Sequence, residues 1–324
     1  MLHVVPGAAA NQNSMIFARR QIDSIATRGI DCQIFFLETR TSLFGVFAEI
    51  RRLRNTIRSF APDIVHAHYG TVTSLICAVC TWCPLVIHYR GSDLNPNPGV
   101  NAFRAGLQTL FSQISVLRAR GVITVSAQLR ERLWWKRGKA VVVPSGVDTE
   151  LFRPILQSSA RAKVGWRDED KVVLFNSGNT EKSRPNKRLV LAREAVAQAE
   201  KIFGKIRLEV LDGRAPPDQM PWLINASDCI LMTSANEGSP NIVKEALSCN
   251  VPVVSVRVGD VQERLEGVFP SFVVNEDPKV LGAAIADVLK LDIDSNGREK
   301  IIPLSLDALT DETVSIYRTV LNRK

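Results

Sequence analysis

The chain has 324 residues, is 45% apolar and 23% charged, and carries a net charge of +8. Mixed charge at that apolar content excludes a disordered chain, and the length fits two domains, each with its own core. No apolar run reaches the roughly 18 residues of a spanning helix. "MLHVVPGAAANQN" has no charged start and breaks at Pro6-Gly7, so an export signal is not expected and the expected location is the cytoplasm. The charge is unevenly placed: residues 1–150 hold 17 basic and 9 acidic side chains, and the remainder holds 24 of each. The first half should therefore meet something anionic.

Short apolar runs alternate with amphipathic stretches from end to end. "LHVV", "CQIFFL", "DIVHA", "PLVIHY", "GVITVS" and "AVVVP" read as six strands, with helices expected near 13–28, 44–60 and 102–118. Near-continuous apolar strands imply a sheet covered on both faces, a doubly wound α/β domain. "PSGVDTELFRP" (144–154) breaks the pattern and reads as a linker. A second series follows: "KVVLFNSG", a helix near 187–203, "IRLEVLDG", "DCILMTS", a helix from Pro240, "VPVVSV" and "FVV". Two open α/β domains, 1–150 and 151–305, are expected to face a central cleft with their strand carboxyl ends. A final helix over 306–324, with Leu306, Leu309, Val314, Tyr317 and Leu321 at helical spacing, would pack back on the first domain.

Six cysteines in a chain of this length do not form a secreted disulfide framework. Cys77, Cys80 and Cys83 have part of an iron–sulfur spacing, but "TSLICAVCTWC" reads as a buried helix and no fourth ligand follows. Asp292-Ile-Asp294 sits in a turn and reads as solvated; no metal is expected, and no dinucleotide-binding glycine pattern is present.

"SANEGSPNIVKEAL" (234–247) places Glu237 and Glu245 eight positions apart. "CILMTS" ends a strand and "ANEG" is a loop. Ser239 is the expected N-cap, Pro240 the first helical residue, and Ile242, Val243, Ala246 and Leu247 the buried stripe. Free N–H groups and the helix dipole make such a start an anion site, and Gly238 lets a phosphate come close. Glu245 lies about 7 Å farther along at ~1.5 Å per residue. Carboxylates accept from hydroxyls, and hydroxyls on both sides of a phosphate describe a nucleotide sugar.

The pattern Glu-x7-Glu in "NEGSPNIVKEALSCNVPVVSVRVGD" resembles the donor motif of family 4 glycosyltransferases, retaining enzymes of the GT-B fold. The resemblance extends in order through "QIDSIATRGIDCQIFFL", "PDIVHAHYG", "VIHYRGSDL", "GVITVSAQLRERL" and "VVPSGVDTELFRP". It implies that Glu237 faces the donor sugar and Glu245 the ribose, while amides around Gly238, Ser239, Pro240 and Asn241 receive the diphosphate; Pro240 has no N–H, so its neighbours must donate. It also implies an arginine and a lysine on the loop "SGNTEKSRPNKRL". Lys187 matches the lysine; Asn179 stands at the arginine position, with Arg184 or Lys182 able to substitute. His88 falls where relatives place a histidine near the reacting centre. Gly7, in "PGAAANQN", stands where many relatives carry a glycine pair. Asp93 is expected to cap a helix or touch ligand. His66 and His68 are expected to point to opposite faces or to straddle a strand end.

The expected reaction is transfer from a UDP- or GDP-sugar to a glycan or lipid-linked acceptor, without cofactor, in bacterial surface polysaccharide synthesis. A glycosidase pair fits less well, because a hydrolase needs no diphosphate site. A non-catalytic nucleotide-sugar-binding subunit and a sugar-nucleotide epimerase are the alternatives. The helix "FGVFAEIRRLRNTIRSF", with Phe47, Ile50, Leu53, Ile57 and Phe60 on one face and arginines elsewhere, reads as a covering helix or as one lying on anionic lipid. Trp134 and Trp135 beside Lys136, Arg137 and Lys139 favour a membrane surface over nucleic acid, for which no recognition module is visible.

Overall fold

The computed structural model describes residues 1–10, 15–95, 100–178 and 185–322. It divides into two compact units, Met1–Gly146 with Leu306–Lys324, and Val147–Ser305. In the first unit, β1 (Leu2–Pro6), β2 (Gln33–Leu37), β3 (Val65–Ala67), β4 (Leu85–Tyr89), β5 (Gly121–Thr124) and β6 (Val141–Val142) form one parallel sheet ordered β2-β1-β3-β4-β5-β6. Helices α1 (Ile16–Ala26), α2 (Leu43–Phe60), α3 (Thr71–Cys80), α4 (Ala102–Arg118) and α5 (Ala127–Glu131) make the crossovers. Strands β1, β4 and β5 are buried along their whole length, which is why they read as unbroken apolar runs. On α2, Leu53 is buried and Ile50, Ile57 and Phe60 pack against the core, so the expected stripe faces inward except for Phe47. Cys77 and Cys80 lie on the buried face of α3, where burial pushes both thiols up.

The second unit has β7 (Val172–Asn176), β8 (Arg207–Leu211), β9 (Cys229–Met232), β10 (Val253–Val256) and β11 (Phe272–Val274), all parallel, in the order β11-β10-β9-β7-β8. Its helices are α6 (Gln157–Val164), α7 (Leu189–Phe203), α8 (Met220–Ala226), α9 (Asn241–Ser248), α10 (Val261–Leu265), α11 (Pro278–Leu291) and α12 (Gly297–Ile301). A buried ion pair ties three of these elements. Arg161 on α6 meets Asp228 at 2.8 Å, with side chains only 3% and 5% exposed. The same carboxylate accepts from Val172 N–H at the head of β7. Asp292 caps α11 and pairs with Lys171, so it is a structural carboxylate.

The last helix, α13 (Leu306–Asn322), belongs to the first unit. It lies along α1 through Gln21–Thr313 and Thr310–Ser24 hydrogen bonds and through Arg28 with Asp307 and Asp311. Leu309, Val314 and Tyr317 are buried as expected; Val320 is buried in place of Leu321. Gly121 makes room for it: a Cβ there would lie 2.9 Å from Val320.

Beneath α13 the chain buries all four of its histidines. His3 on β1 pairs in register with His66 on β3, and His88 on β4 lies two residues beyond Val86, the partner of His66, and so on the same side. Of the two expectations for His66 and His68, that of opposite faces is corrected, because residues two apart on a strand return to one face and their rings stack at 4.0 Å; they do straddle the strand end, since β3 stops at Ala67. Arg90 donates to His68 Nδ1 at 3.0 Å. A guanidinium only donates, so His68 keeps its proton on Nε2 and gives it to His3 Nδ1 at 2.9 Å. His66 Nδ1 meets the Tyr317 hydroxyl at 2.6 Å. Burial pushes His3 down to about 3 and the other three well below the usual range.

Two predictions follow from this packing. Histidines held neutral in the fold but free to charge at about 6.5 when unfolded stabilise it fully above that pH. That stability is lost as pH falls from there toward 3. The melting temperature should therefore drop below about pH 6.5, and His3→Asn should make the drop shallower in calorimetric scans. Separately, Asp228→Asn leaves Arg161 buried without its counter-charge and should cost roughly 3–5 kcal/mol in denaturant titrations.

Candidate functional site

In an open parallel sheet the strand order reverses once, and the loops on either side of that point diverge to leave a crevice at the carboxyl ends. In the second unit that point lies between β7 and β9. The loop after β7 ends in Pro185–Lys187, and the loop after β9 is Thr233–Pro240. The two are fastened together. Ala235 N–H donates to Asn186 C=O at 2.8 Å, Asn186 Nδ2 to Asn236 C=O at 2.6 Å, and Thr233 Oγ1 to Lys187 C=O at 2.8 Å. Arg188 Nε reaches Thr233 C=O at 2.6 Å. Across this seam Lys187 Nζ lies 2.7 Å from Glu237 Oε1, with side chains 15% and 19% exposed. The structure thus brings together a cation and a carboxylate that stand 50 residues apart.

Helix α9 begins at Asn241, with Pro240 at the cap position and no side-chain cap. The expected start, with Ser239 as N-cap and Pro240 inside, is corrected by one residue. Ser239 has other work: its Oγ accepts from Lys244 Nζ at 3.1 Å. Lys244 is only 1% exposed, although a lysine beside an apolar stripe usually points to water. Asn241 and Glu245, four apart, share the half-buried side of α9, while Ile242, Val243, Ala246 and Leu247 face the core. Gly238 is buttressed from behind. Gly259 has φ +55°, and a Cβ on it would sit 2.7 Å from Gly238 O. Among the described residues, Asn186 Oδ1, Asn241 Oδ1 and Asp260 Oδ1 are buried without a hydrogen-bond partner. Unmet acceptors gathered at one loop cluster mark a place where donor hydroxyls or waters belong. Asn179, Lys182 and Arg184 lie outside the described residues.

In the first unit the order reverses between β1 and β3. Gly7, just past β1, has φ 128° and donates its N–H to Leu37 C=O at 3.1 Å. Only glycine takes that conformation readily. His88 is fully buried, with Nε2 3.2 Å from Val143 C=O. A ring with no exposed atom cannot touch a reacting group in this conformation, so its place here is one of support. Asp93 is also buried and accepts from the N–H groups of Gly70, Arg90 and Gly91, which makes it the organiser of the β3 and β4 loop ends. The ligand atoms of His3, His66 and His68 lie within 4.8 Å of one another. The buried Arg90 guanidinium beside them and the proton fixed on His68 Nε2 make this a hydrogen-bond network that fits a cation poorly.

Comparison with known proteins adds to this geometry. Residues 8–151 match Glycosyltransferase Family 4, and residues 168–291 match Glycosyl transferases group 1. The putative teichuronic acid biosynthesis glycosyltransferase TuaC of Bacillus subtilis is 27% identical over 63% of this chain and 55% of its own length. A D-inositol 3-phosphate glycosyltransferase of Catenulispora acidiphila is 26% identical over 73% of this chain and 65% of its own. The matched region thus spans less than two thirds of these relatives' length. Among solved structures, Anabaena HepE in complex with UDP and glucose superposes with a TM-score of 0.75 at 15% identity, covering 98% of this chain and 100% of that one. The chain belongs to glycosyltransferase family 4 and has the GT-B fold, two Rossmann-like parallel α/β domains.

Proposed function

We propose that the protein is a retaining glycosyltransferase that moves a sugar from a UDP- or GDP-sugar to a glycan or lipid-linked acceptor, without a metal. The observation that carries this reading is the Lys187–Glu237 contact across the β7/β9 reversal, at the head of α9. The diphosphate would lie on the N–H groups after Gly238, with Lys187 turning to it. Glu237 would then be released to the hexose hydroxyls, and Glu245 would hold the ribose. In the transfer step the bond from the anomeric carbon to the diphosphate oxygen breaks. A bond from that carbon to the acceptor oxygen forms on the same face, and the acceptor proton passes to the departing phosphate. No protein nucleophile is needed; positioning and charge stabilisation supply the acceleration. Asn179, Arg184 and Gly7 remain proposed donor contacts.

The relatives support the donor class, since HepE has been solved with UDP-glucose as well as with UDP. The name of the Bacillus relative supports a role in surface polysaccharide synthesis. No described helix is long and apolar enough to cross a membrane, and we place the enzyme at the cytoplasmic face as a peripheral protein on the strength of its basic first half.

Thermal-shift titration against UDP, GDP, ADP and their sugars should give one nucleotide that raises the melting temperature; stabilisation by none of them would remove the donor argument. With that donor, Glu237→Ala should lower turnover about 10²–10³-fold while nucleotide affinity stays within a few-fold. Glu245→Ala should weaken nucleotide binding about tenfold, roughly 1.4 kcal/mol. Nucleotide binding without turnover on any acceptor would leave a binding protein and overturn the transfer. Gly259→Ala, which pushes on the Gly238 carbonyl, should weaken diphosphate binding and spare nucleoside monophosphate binding in calorimetric titrations.

A further inference from the structure

Helix α4 is turned inside out. It buries Ser112, Gln113, Ser115 and Val116, and it exposes Phe103 (76%), Leu110 (38%), Ile114 (42%) and Leu117 (53%). The spacing from Phe103 through Leu107, Leu110 and Ile114 to Leu117 alternates four and three residues, so these side chains form one outward stripe. The polar inner face is satisfied: Ser112 Oγ donates to Asp93 C=O at 2.8 Å, and Gln113 Nε2 to Arg132 C=O at 2.8 Å.

At its first turn the stripe meets a cavity of about 840 Å³ that lies wholly within the first unit. Its wall includes Thr39 and Arg40 after β2, Thr71 at the head of α3, and Arg104, Gln108 and Phe111 of α4. Glu38 is the carboxylate on this wall, so the two arginines leave it net positive. Next in sequence to the lining residues stand Leu43 (79%), Phe44 (90%) and Phe47 (69%) on the first turns of α2. Single exposed apolar residues need no explanation, but four large ones within a few residues in sequence of the cavity's lining, Phe103 opening a helical stripe that enters that lining at Leu107, do.

A ligand that satisfies both parts has an anionic head and an apolar tail. Guanidinium groups bind phosphate oxygens through paired donors. Leucine and phenylalanine side chains beside them hold an acyl or isoprenoid chain at a bilayer surface. We propose that this cavity binds the phosphate group of a phosphorylated lipid between Arg40 and Arg104, and that the lipid chain leaves over Leu43, Phe44, Phe47 and Phe103, with the α4 stripe against the bilayer. That this lipid is the sugar acceptor rests on the transferase reading; the binding site itself does not.

The test is flotation of the full chain with phosphatidylcholine vesicles that carry a polyprenyl phosphate. Parallel samples carry the uncharged polyprenol, or phosphatidylglycerol at matched charge; inorganic phosphate in solution serves as competitor. The chain should float with polyprenyl phosphate and not with polyprenol. Arg40→Ala and Arg104→Ala should each weaken this about tenfold, and Phe44→Ser combined with Phe103→Ser should abolish it with the melting temperature unchanged. Equal flotation with phosphatidylglycerol would replace the site by a general basic surface. Full displacement by inorganic phosphate would replace it by a site for a soluble ion, and no flotation at all would overturn it. UDP titration of the same variants separates the two readings. Lipid binding without nucleotide binding sinks the donor proposal alone, and nucleotide binding without lipid binding sinks this one alone.

Discussion

The reversal of strand order beside β7 is the constraint on which the candidate site depends. Parallel strands buried on both faces must be joined by helical crossovers, and right-handed crossovers on opposite sides of one strand send adjacent loops in opposite directions. β7 has β8 on one side and β9 on the other. The chain therefore supplies one loop from its first crossover and another from its third strand at the same sheet edge. Lys187 and Glu237 meet there through topology, and hydrogen bonds from Asn186, Thr233, Ala235 and Arg188 hold the two loops in register.

A half-screened ion pair of this kind adds little stability, because desolvation offsets most of the attraction. Its worth lies in what can replace it. A diphosphate offers Lys187 more negative charge than Glu237 does, so on the transferase reading the pair exchanges partners as donor arrives. Lys244 sharpens the same seat. A cation near the amino end of a helix is opposed by the helix dipole. Placed against the Ser239 hydroxyl, its ammonium adds to the positive field of the free N–H groups of α9.

The eleven strands of the described residues were legible, because core strands of a parallel sheet are continuous apolar runs bounded by turn residues. The α4 bounds were legible for a related reason, with Asn101 as its N-cap. The placing of Glu237 in the loop before α9 and of Glu245 within that helix was legible through the Gly-Ser-Pro turn between them. Three features were not. Lys244 looks like a surface residue, since periodicity records where a Cα points and not where a long side chain ends. The partnership of Lys187 with Glu237 is a matter of topology, with 50 residues between them. The histidine network needs the register of β1, β3 and β4 before four separate residues become one cluster. His88 was read as a contact to the reacting centre because its strand end was visible and its burial was not.

The basic first half illustrates a further limit of periodicity. An amphipathic pattern gives a direction on the helix surface, not the direction of the core. On α2 the apolar stripe and the core coincide from Ile50 to Phe60, and Arg51, Arg54 and Arg58 are left to solvent. On α4 they are opposed. The inward face is held by Ser112, which serves Thr71 N–H, Asp93 C=O and the Tyr89 hydroxyl, and by Gln113, whose Oε1 accepts from Trp134 N–H. Each of those polar groups would cost free energy if left unpaired in a core. Their complete pairing shows that the helix is seated as the fold requires and is not misfaced. A helix held inward by Ser112, Gln113 and Ser115, with Val116 as its fully buried apolar residue, leaves most of its apolar area off its own domain. That exposed area, with Arg104 at its head, is what the lipid proposal draws on.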